Sequence, residues 1–276
     1  MLQPGEDLDS ERTGVLAGKV AIVSGVGTGL GRSIALALAR QGAGVALAAR
    51  TESTLESIAS EVKQTGGEVW WQRFDISDPN AAPFFVEGVN ERFGRIDVLI
   101  NNGHHKGDFL PLAQTDVNSW SDTFAVNTFG PMRLIQEVLP VMRRLGGGSV
   151  VNVNSGAAVN SNRGLGAYSA SKSGLASLTR TLALEVGVDN IRVNGLYVSS
   201  MVGDNVRSWG TEVAESQGIT FDEWFERKQR DEFPLQRMPT PDDIADVVLF
   251  LASDMARSVT GQNISANNGQ WVVGPQ

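Results

Sequence analysis

The chain has 276 residues, 41% hydrophobic and 20% charged, with a formal net charge of −8 and no cysteine. That content can bury one large core without a second domain, and the acidic balance, with no basic stripe, argues against a nucleic-acid partner. The missing cysteines exclude disulfides and thiolate metal sites, and no apolar run is long enough to cross a bilayer, so a cytoplasmic protein with no membrane partner is expected.

Residues 1–17, with Glu6, Asp7, Asp9 and Glu11 against Arg12, read as an acidic, mobile tail ahead of one domain over 18–276. The run KVAIVS is a short strand that leads into SGVGTGLGRSIALALARQGA, giving strand, glycine loop and helix. Gly25, Gly29 and Gly31 have the spacing G-x-x-x-G-x-G, with Thr28 and Leu30 in the same loop. One glycine permits the tight turn, and the others let a pyrophosphate approach the backbone at a helix N-terminus, where free N–H groups favour an anion.

A second strand, GVALAA, ends at Ala49 and Arg50, and a third, EVWWQRF, ends at Asp75; helix-compatible segments follow from near Glu52 and Asp78. The fourth strand, IDVLINN, ends in Asn101, Asn102, Gly103 and His104. His104 and His105 are the two histidines. Adjacent on a loop and joined by no acidic cluster, they read as pocket-rim residues, and no metal is expected.

Residues 116–145 read as helix, with Asn127 inside AVNTFG and interruptions at Pro131 and Pro140. An asparagine in mid-helix is unfavourable unless it has a partner. A fifth strand, SVVNVN, delivers Ser155. The segment from Gly166 onward has helical phase, so Tyr168 and Lys172, four residues apart, share one face. Acid–base work by a tyrosine at neutral pH requires lowering its pKa by about three units, or about 4 kcal/mol, and a neighbouring ammonium acts in that direction. Ser155 is placed to donate to a substrate oxygen in front of Tyr168.

NIRVNGLYVSS reads as strand six, ending at Val198 and Ser199. Residues 203–238 interleave Trp209, Phe221, Trp224, Phe225 and Phe233 with charges, the composition of a substrate lid, although a surface helix pair with an ordinary buried stripe explains part of it equally. TPDDIADVVLFLAS opens with a helix start, and TGQNISANNGQWVV closes as strand seven.

From residue 18 onward these motifs resemble the short-chain dehydrogenase/reductase family. The resemblance implies a single-domain, Rossmann-type α/β fold: a doubly wound, seven-stranded parallel sheet with helices on both faces and strand order 3-2-1-4-5-6-7. It implies hydride transfer between a nicotinamide nucleotide and a secondary alcohol or ketone. Tyr168 would be the acid/base, Lys172 would lower its pKa and hold the nicotinamide ribose, Ser155 would bind the reacting oxygen, and Asn127 would order a relay water. The cofactor would lie on Gly25, Thr28, Gly29, Leu30 and Gly31, with Asp75 and Ile76 at the adenine, Asn102 and Gly103 beside it, and Val198 and Ser199 at the nicotinamide.

The chain departs from the family pattern in several places. Gly103-His104 stands for Ala-Gly, Val198, Ser199 and Gly203 stand for the usual Pro, Gly and Thr of the nicotinamide loop, and Ala266-Asn267-Asn268-Gly269 stands for V-D-G-G. Ala49 takes the place of the acid that binds a ribose 2′-hydroxyl, whereas Arg50, with Thr51, suits a 2′-phosphate; NADP(H) is therefore expected over NAD(H). Thr28, in the place of a loop base, leaves open that Arg50 is a solvated helix-start side chain and that NAD is used. The five aromatics of 203–238 lead us to expect a small-molecule alcohol or carbonyl that is bulky and largely apolar, and analogy leads us to expect a homo-oligomer, tetramer or dimer. The rivals are an NAD-dependent dehydrogenase of a diol or hydroxysteroid, and a nucleotide-binding sensor that keeps the fold without turnover.

Overall fold

The computed structural model describes residues 14–160 and 162–271. Seven strands form one parallel sheet: β1 (Val20–Ser24), β2 (Gly44–Ala49), β3 (Val69–Arg73), β4 (Val98–Asn101), β5 (Gly148–Ser155), β6 (Ile191–Val198) and β7 (Asn263–Ala266). Their order is β3-β2-β1-β4-β5-β6-β7, as expected. The central strands β1, β2 and β4 are largely apolar on both faces because helices cover both. Ala21, Val23, Val45, Leu47, Val151 and Val153 pack under α1 (Leu30–Arg40), α2 (Glu52–Gln64) and, late in the chain, a helix over Pro241–Ala252. Val20, Ile22, Ala46, Leu99, Val150 and Val193 pack under α3 (Ala81–Phe93) and two helices over Gly130–Leu145 and Gly166–Val186.

The remaining elements follow chain order. After β4 come a short α4 (Trp120–Phe124), a π-turn (Ala125–Phe129) and α5 (Gly130–Leu145) without a break; after β5 comes α6 (Gly166–Val186). After β6, α7 (Asp204–Ser216) and α8 (Phe221–Glu232) form a pair, and α9 (Pro241–Ala252) precedes β7. Thr240 starts α9 with a reciprocal capping box to Asp243, and Pro241 sits at its first turn. The seventh strand is shorter than the expected stretch. Most of the expected acidic tail lies outside the described residues, but Leu16 is buried and its N–H donates to the Gln41 carbonyl at 3.0 Å, so residues 14–17 pack with the domain.

β1 pairs with both β2 and β4, so the chain changes direction there and leaves a crevice at the carboxyl ends of the strands. Gly25, at φ +79°, meets Gly103 backbone to backbone in that crevice; a Cβ on Gly25 would land on the Gly103 main chain. Gly25→Ala therefore strains the left-handed backbone and separates the β1 and β4 loops. We expect it to lower unfolding free energy by about 2 kcal/mol or more, measured by denaturant unfolding against wild type; an unchanged midpoint would remove the contact's importance.

Candidate active site

Three cross-ties hold α6 against the end of β5. Asn152 donates to the Thr179 hydroxyl at 3.0 Å, Asn154 donates to the Lys172 carbonyl at 3.1 Å, and the Lys172 ammonium donates to the Val153 carbonyl at 3.0 Å. Small residues on α6 allow that approach, with Ala167, Ser171 and Ala176 buried. The result brings Ser155, Tyr168 and Lys172 together. Ser155 accepts the Ala157 N–H at 3.1 Å, and its hydroxyl lies near enough to the Tyr168 phenol to favour the phenolate.

Burial sets the charge state of both titrating groups. Lys172 is almost fully buried, its hydrogen bond goes to a carbonyl rather than a carboxylate, and burial pushes its ammonium down to about 7. Tyr168 keeps part of its surface open to the cleft, yet desolvation pushes its phenol above the ordinary value, and the Ser155 hydroxyl opposes that rise. The expected lowering of the tyrosine by Lys172 is not seen. The ammonium nitrogen lies 6.0 Å from the ring centroid, and the group that favours the phenolate is Ser155.

Asn127 finds the partners that a mid-helix asparagine needs. Its amide accepts from the His105 N–H at 2.8 Å and donates to the His105 carbonyl at 2.8 Å and to the Ser171 hydroxyl at 2.9 Å. The side chain is thus saturated. Pro131 has no N–H for a carbonyl four or five residues back, and the helix there shifts into the π-turn.

The glycine loop forms a second cluster. Asn102 donates to the Gly25 carbonyl at 2.7 Å, Gly31 packs on Val26 and Asn102, and Ile76 lies beside Gly103. Thr28 and Gly29 are exposed, open space surrounds Gly29, and α1 starts there without a side-chain cap, with Leu30 turned into the core. These features fit a pyrophosphate. Arg32, nearest in sequence, is tied bidentately to Glu61. Asp75 accepts the Ser77 N–H and hydroxyl at 3.0 and 2.7 Å; burial raises its carboxyl, but those bonds, with Arg50 and Arg73, bring it below the ordinary value.

Arg50 is exposed, Thr51 starts α2, and Arg73 lies opposite Ala49 in the β2–β3 register, where its guanidinium donates to the Arg50 carbonyl at 3.2 Å. Two guanidinium groups therefore stand at the end of β2. Arg73 was missed from sequence, although adjacent parallel strands that end together signal it. His104 was also underread. It is exposed at the rim, where partial desolvation and the positive charge of Lys172 lower its imidazole below the ordinary value. Val198 is a core residue, and Ser199 donates to the Ser200 carbonyl at 3.2 Å.

The expected lid is a helix pair whose aromatics pack on one another. Trp209 meets Trp224 edge-on at 5.2 Å, Phe221 stacks on Phe225 at 5.6 Å, and Trp224 and Phe233 are buried. Lys228 lies 5.1 and 5.7 Å from the Trp209 and Trp224 rings. Trp224 is the buried centre of that aromatic cluster, Phe221 and Phe225 are partly covered, and Trp209 stays exposed at its edge. Trp271, also missed, packs on Gly156.

Lys172 has a consequence for stability. In the unfolded chain its ammonium persists to about pH 10.5, whereas in the fold it is lost near 7. The fold is thus penalised by roughly 1.4 kcal/mol for each pH unit below 10.5, levelling off below about 7. Lys172→Met should raise Tm by about 5 °C at pH 6.5, with the gain shrinking toward pH 10; a lower Tm for the variant at pH 6.5 would contradict this.

Residues 25–270 match a family model described as enoyl-(acyl carrier protein) reductase. The chain is 34% identical over 260 residues to the short chain dehydrogenase/reductase astE of Aspergillus oryzae, covering 94% of this chain and 97% of that protein. It is 31% identical over 257 residues to the 7α-hydroxysteroid dehydrogenase of Escherichia coli, covering 92% and 94%. A solved 7α-hydroxysteroid dehydrogenase, complexed with NADH and 7-oxo glycochenodeoxycholic acid, superposes with TM-score 0.82 at 30% identity over 92% and 94% of the two chains. L-sorbose reductase of Gluconobacter frateurii, complexed with NADPH and L-sorbose, superposes with TM-score 0.88 at 26% identity over 95% and 100%. With the sheet order, the glycine loop and the Ser155–Tyr168–Lys172 cluster, these likenesses make the chain a member of the short-chain dehydrogenase/reductase family, nicotinamide-dependent oxidoreductases that act on CH–OH groups.

Proposed function

We propose that the protein interconverts a secondary alcohol and a ketone with NADP(H), and that the Ser155–Tyr168–Lys172 cluster carries the proton. The observation behind this reading is that the Tyr168 phenol stands beside the Ser155 hydroxyl, with the buried Lys172 ammonium 6.0 Å from the tyrosine ring. A carbonyl oxygen held between the two hydroxyl groups receives the proton from Tyr168. NADPH, when bound, supplies the hydride. Ser155 is the group that favours the phenolate, and Lys172, anchored on the Val153 carbonyl, holds the nicotinamide ribose in this reading. Asn127 acts through its main-chain carbonyl, which orders the relay water, since its amide is occupied by His105 and Ser171.

Glycines 25, 29 and 31, with Thr28 and Leu30, hold the pyrophosphate in this reading; Asp75 and Ile76 take the adenine, Asn102 and Gly103 flank it, and Val198 and Ser199 meet the nicotinamide. Cofactor choice rests on Arg50 and Arg73, with Thr51 adding a hydroxyl. Their position at the end of β2, with no carboxylate at Ala49, supports a 2′-phosphate. Support for a largely apolar substrate comes from exposed apolar side chains near the site: Phe109, Leu110 and Leu112 around a bridge between Leu110 and Leu165, and Val159 in the turn after Ser155. A cytoplasmic homo-oligomer belongs to the same proposal. Exposed Leu184 and Val188, near the end of α6, support cover by a second copy. NAD use on a hydroxysteroid is the second reading, favoured by Thr28 and by the capture of Arg32 by Glu61.

Ketone reduction followed at 340 nm with each cofactor tests these roles. Tyr168→Phe should lose most of kcat while the Kd for NADPH stays within a few-fold; retained turnover would sink the acid/base role. A charge-assisted phosphate contact is worth about 1.5–3 kcal/mol, so kcat/KM should favour NADPH by about ten- to a hundred-fold. Arg50→Ala should erase most of that preference, and Arg73→Ala part of it. A native preference for NADH would show that neither arginine reads a phosphate.

A further inference from the structure

The described chain ends at Trp271, beside the residue that follows Ser155. A Cβ on Gly156 would collide with the Cζ3–Cε3 edge of that indole, so the ring rests directly on the Gly156 backbone. Ser155 and Gly156 belong to one tight turn, in which the Ser155 hydroxyl accepts the Ala157 N–H. The indole is therefore one residue from the hydroxyl group assigned to the reacting oxygen. Trp271 is half-buried and keeps free surface.

Its route there is built with care. Beyond β7, Asn268 at φ +50° and Gly269 at φ +83° turn the chain back, and a Cβ on Gly269 would run into the Pro234 ring. The Gly269 N–H donates to the Asn267 side chain at 3.0 Å, and the Gln270 N–H to the Asn267 carbonyl at 2.9 Å. Gln270 then joins two further segments. Its amide donates to Glu232 at 2.7 Å and accepts the Ser200 N–H at 3.3 Å. Glu232 also takes the Lys228 ammonium at 2.6 and 2.7 Å. One side chain thus links the end of α8, the loop after β6 and the segment that carries the indole.

We propose that Trp271 is the wall of the substrate chamber next to Ser155, that Gln270 is the positioning residue for it, and that together they select a ketone set in or beside a flat apolar ring. This rests on the carbonyl-reductase reading of the site. A large aromatic face beside the reacting oxygen rewards a flat apolar neighbour and offers little to the hydroxyl groups of an open-chain polyol. Gly156 is the condition for the wall, because any side chain there displaces the indole.

The test compares α-tetralone with dihydroxyacetone in the full-length chain, using whichever nicotinamide nucleotide it accepts. Trp271→Ala should lower the ratio of kcat/KM for tetralone to that for dihydroxyacetone by about tenfold, chiefly through KM. Trp271→Phe should keep most of the ratio, and Gln270→Leu and Gly156→Ala should lose part of it, with thermal unfolding run on each variant. A Trp271→Ala ratio within twofold of wild type, or equal losses on both ketones, would overturn the proposal. Calorimetric titration of tetralone separates this from the parent reading. If wild type reduces neither ketone yet binds tetralone more tightly than Trp271→Ala, the wall stands and the reductase reading fails. Wild type that neither reduces nor binds tetralone would overturn the wall.

Discussion

A lysine ammonium enclosed by protein, with one peptide carbonyl for a partner, is the constraint on which the site depends. Taking that charge out of water is expensive, and the fold tolerates it by letting Lys172 give up its proton near pH 7. The ties that hold it are structural as well as electrostatic. Lys172 reaches the Val153 carbonyl, Asn154 reaches back to the Lys172 carbonyl, and Ser173 donates to the Ala158 carbonyl, so strand, turn and helix move as one body. Tyr168 and Ser155 are held on that body. The same desolvation raises the phenol and lowers the ammonium, which drives both toward neutrality. Fixed groups in a dry site need little reorganisation when charge develops.

A second set of close approaches carries this body to the crevice at the switch point. Gly25 and Gly103 let the β1 and β4 loops touch, and Asn102 closes them with a hydrogen bond to Gly25. The next turn is held from the other side, where Asn127 grips both backbone groups of His105 and reaches Ser171, the neighbour of Lys172. His104 sits between these anchors.

Aromatic composition and aromatic location part company in the segment between β6 and α9. Five large aromatic residues amid charges suggested a surface turned toward a ligand, yet two short helices far from the main core must bury something of their own. Phe221, Trp224 and Phe225 meet that need largely by packing on one another, with Trp209 exposed at the edge, and the Lys228 ammonium lies over the Trp209 and Trp224 rings. Other apolar surface lies beside the start of α6, where Phe109 and Leu112 pack on Gly164 and Gly166, and at Gly156, where Trp271 packs.

The fold and the local motifs were legible because they depend on short-range pattern. Apolar runs of strand length, the glycine spacing, the four-residue interval from Tyr168 to Lys172 and the cap at Thr240 each act within a few residues. Parallel strands separated by helices leave few ways to order the sheet. What sequence left open depends on neighbours distant in the chain. Arg73 becomes a partner of Arg50 only when β3 lies beside β2 with Arg73 opposite Ala49. Asn127 acquires its saturated amide from His105 and Ser171, and Trp271 gains its place because Gly156 and the ties of Gln270 admit it. The tyrosine's direction of shift was misread for the same reason: spacing puts a lysine beside a phenol, whereas the amount of water excluded from both is a property of the packed structure alone.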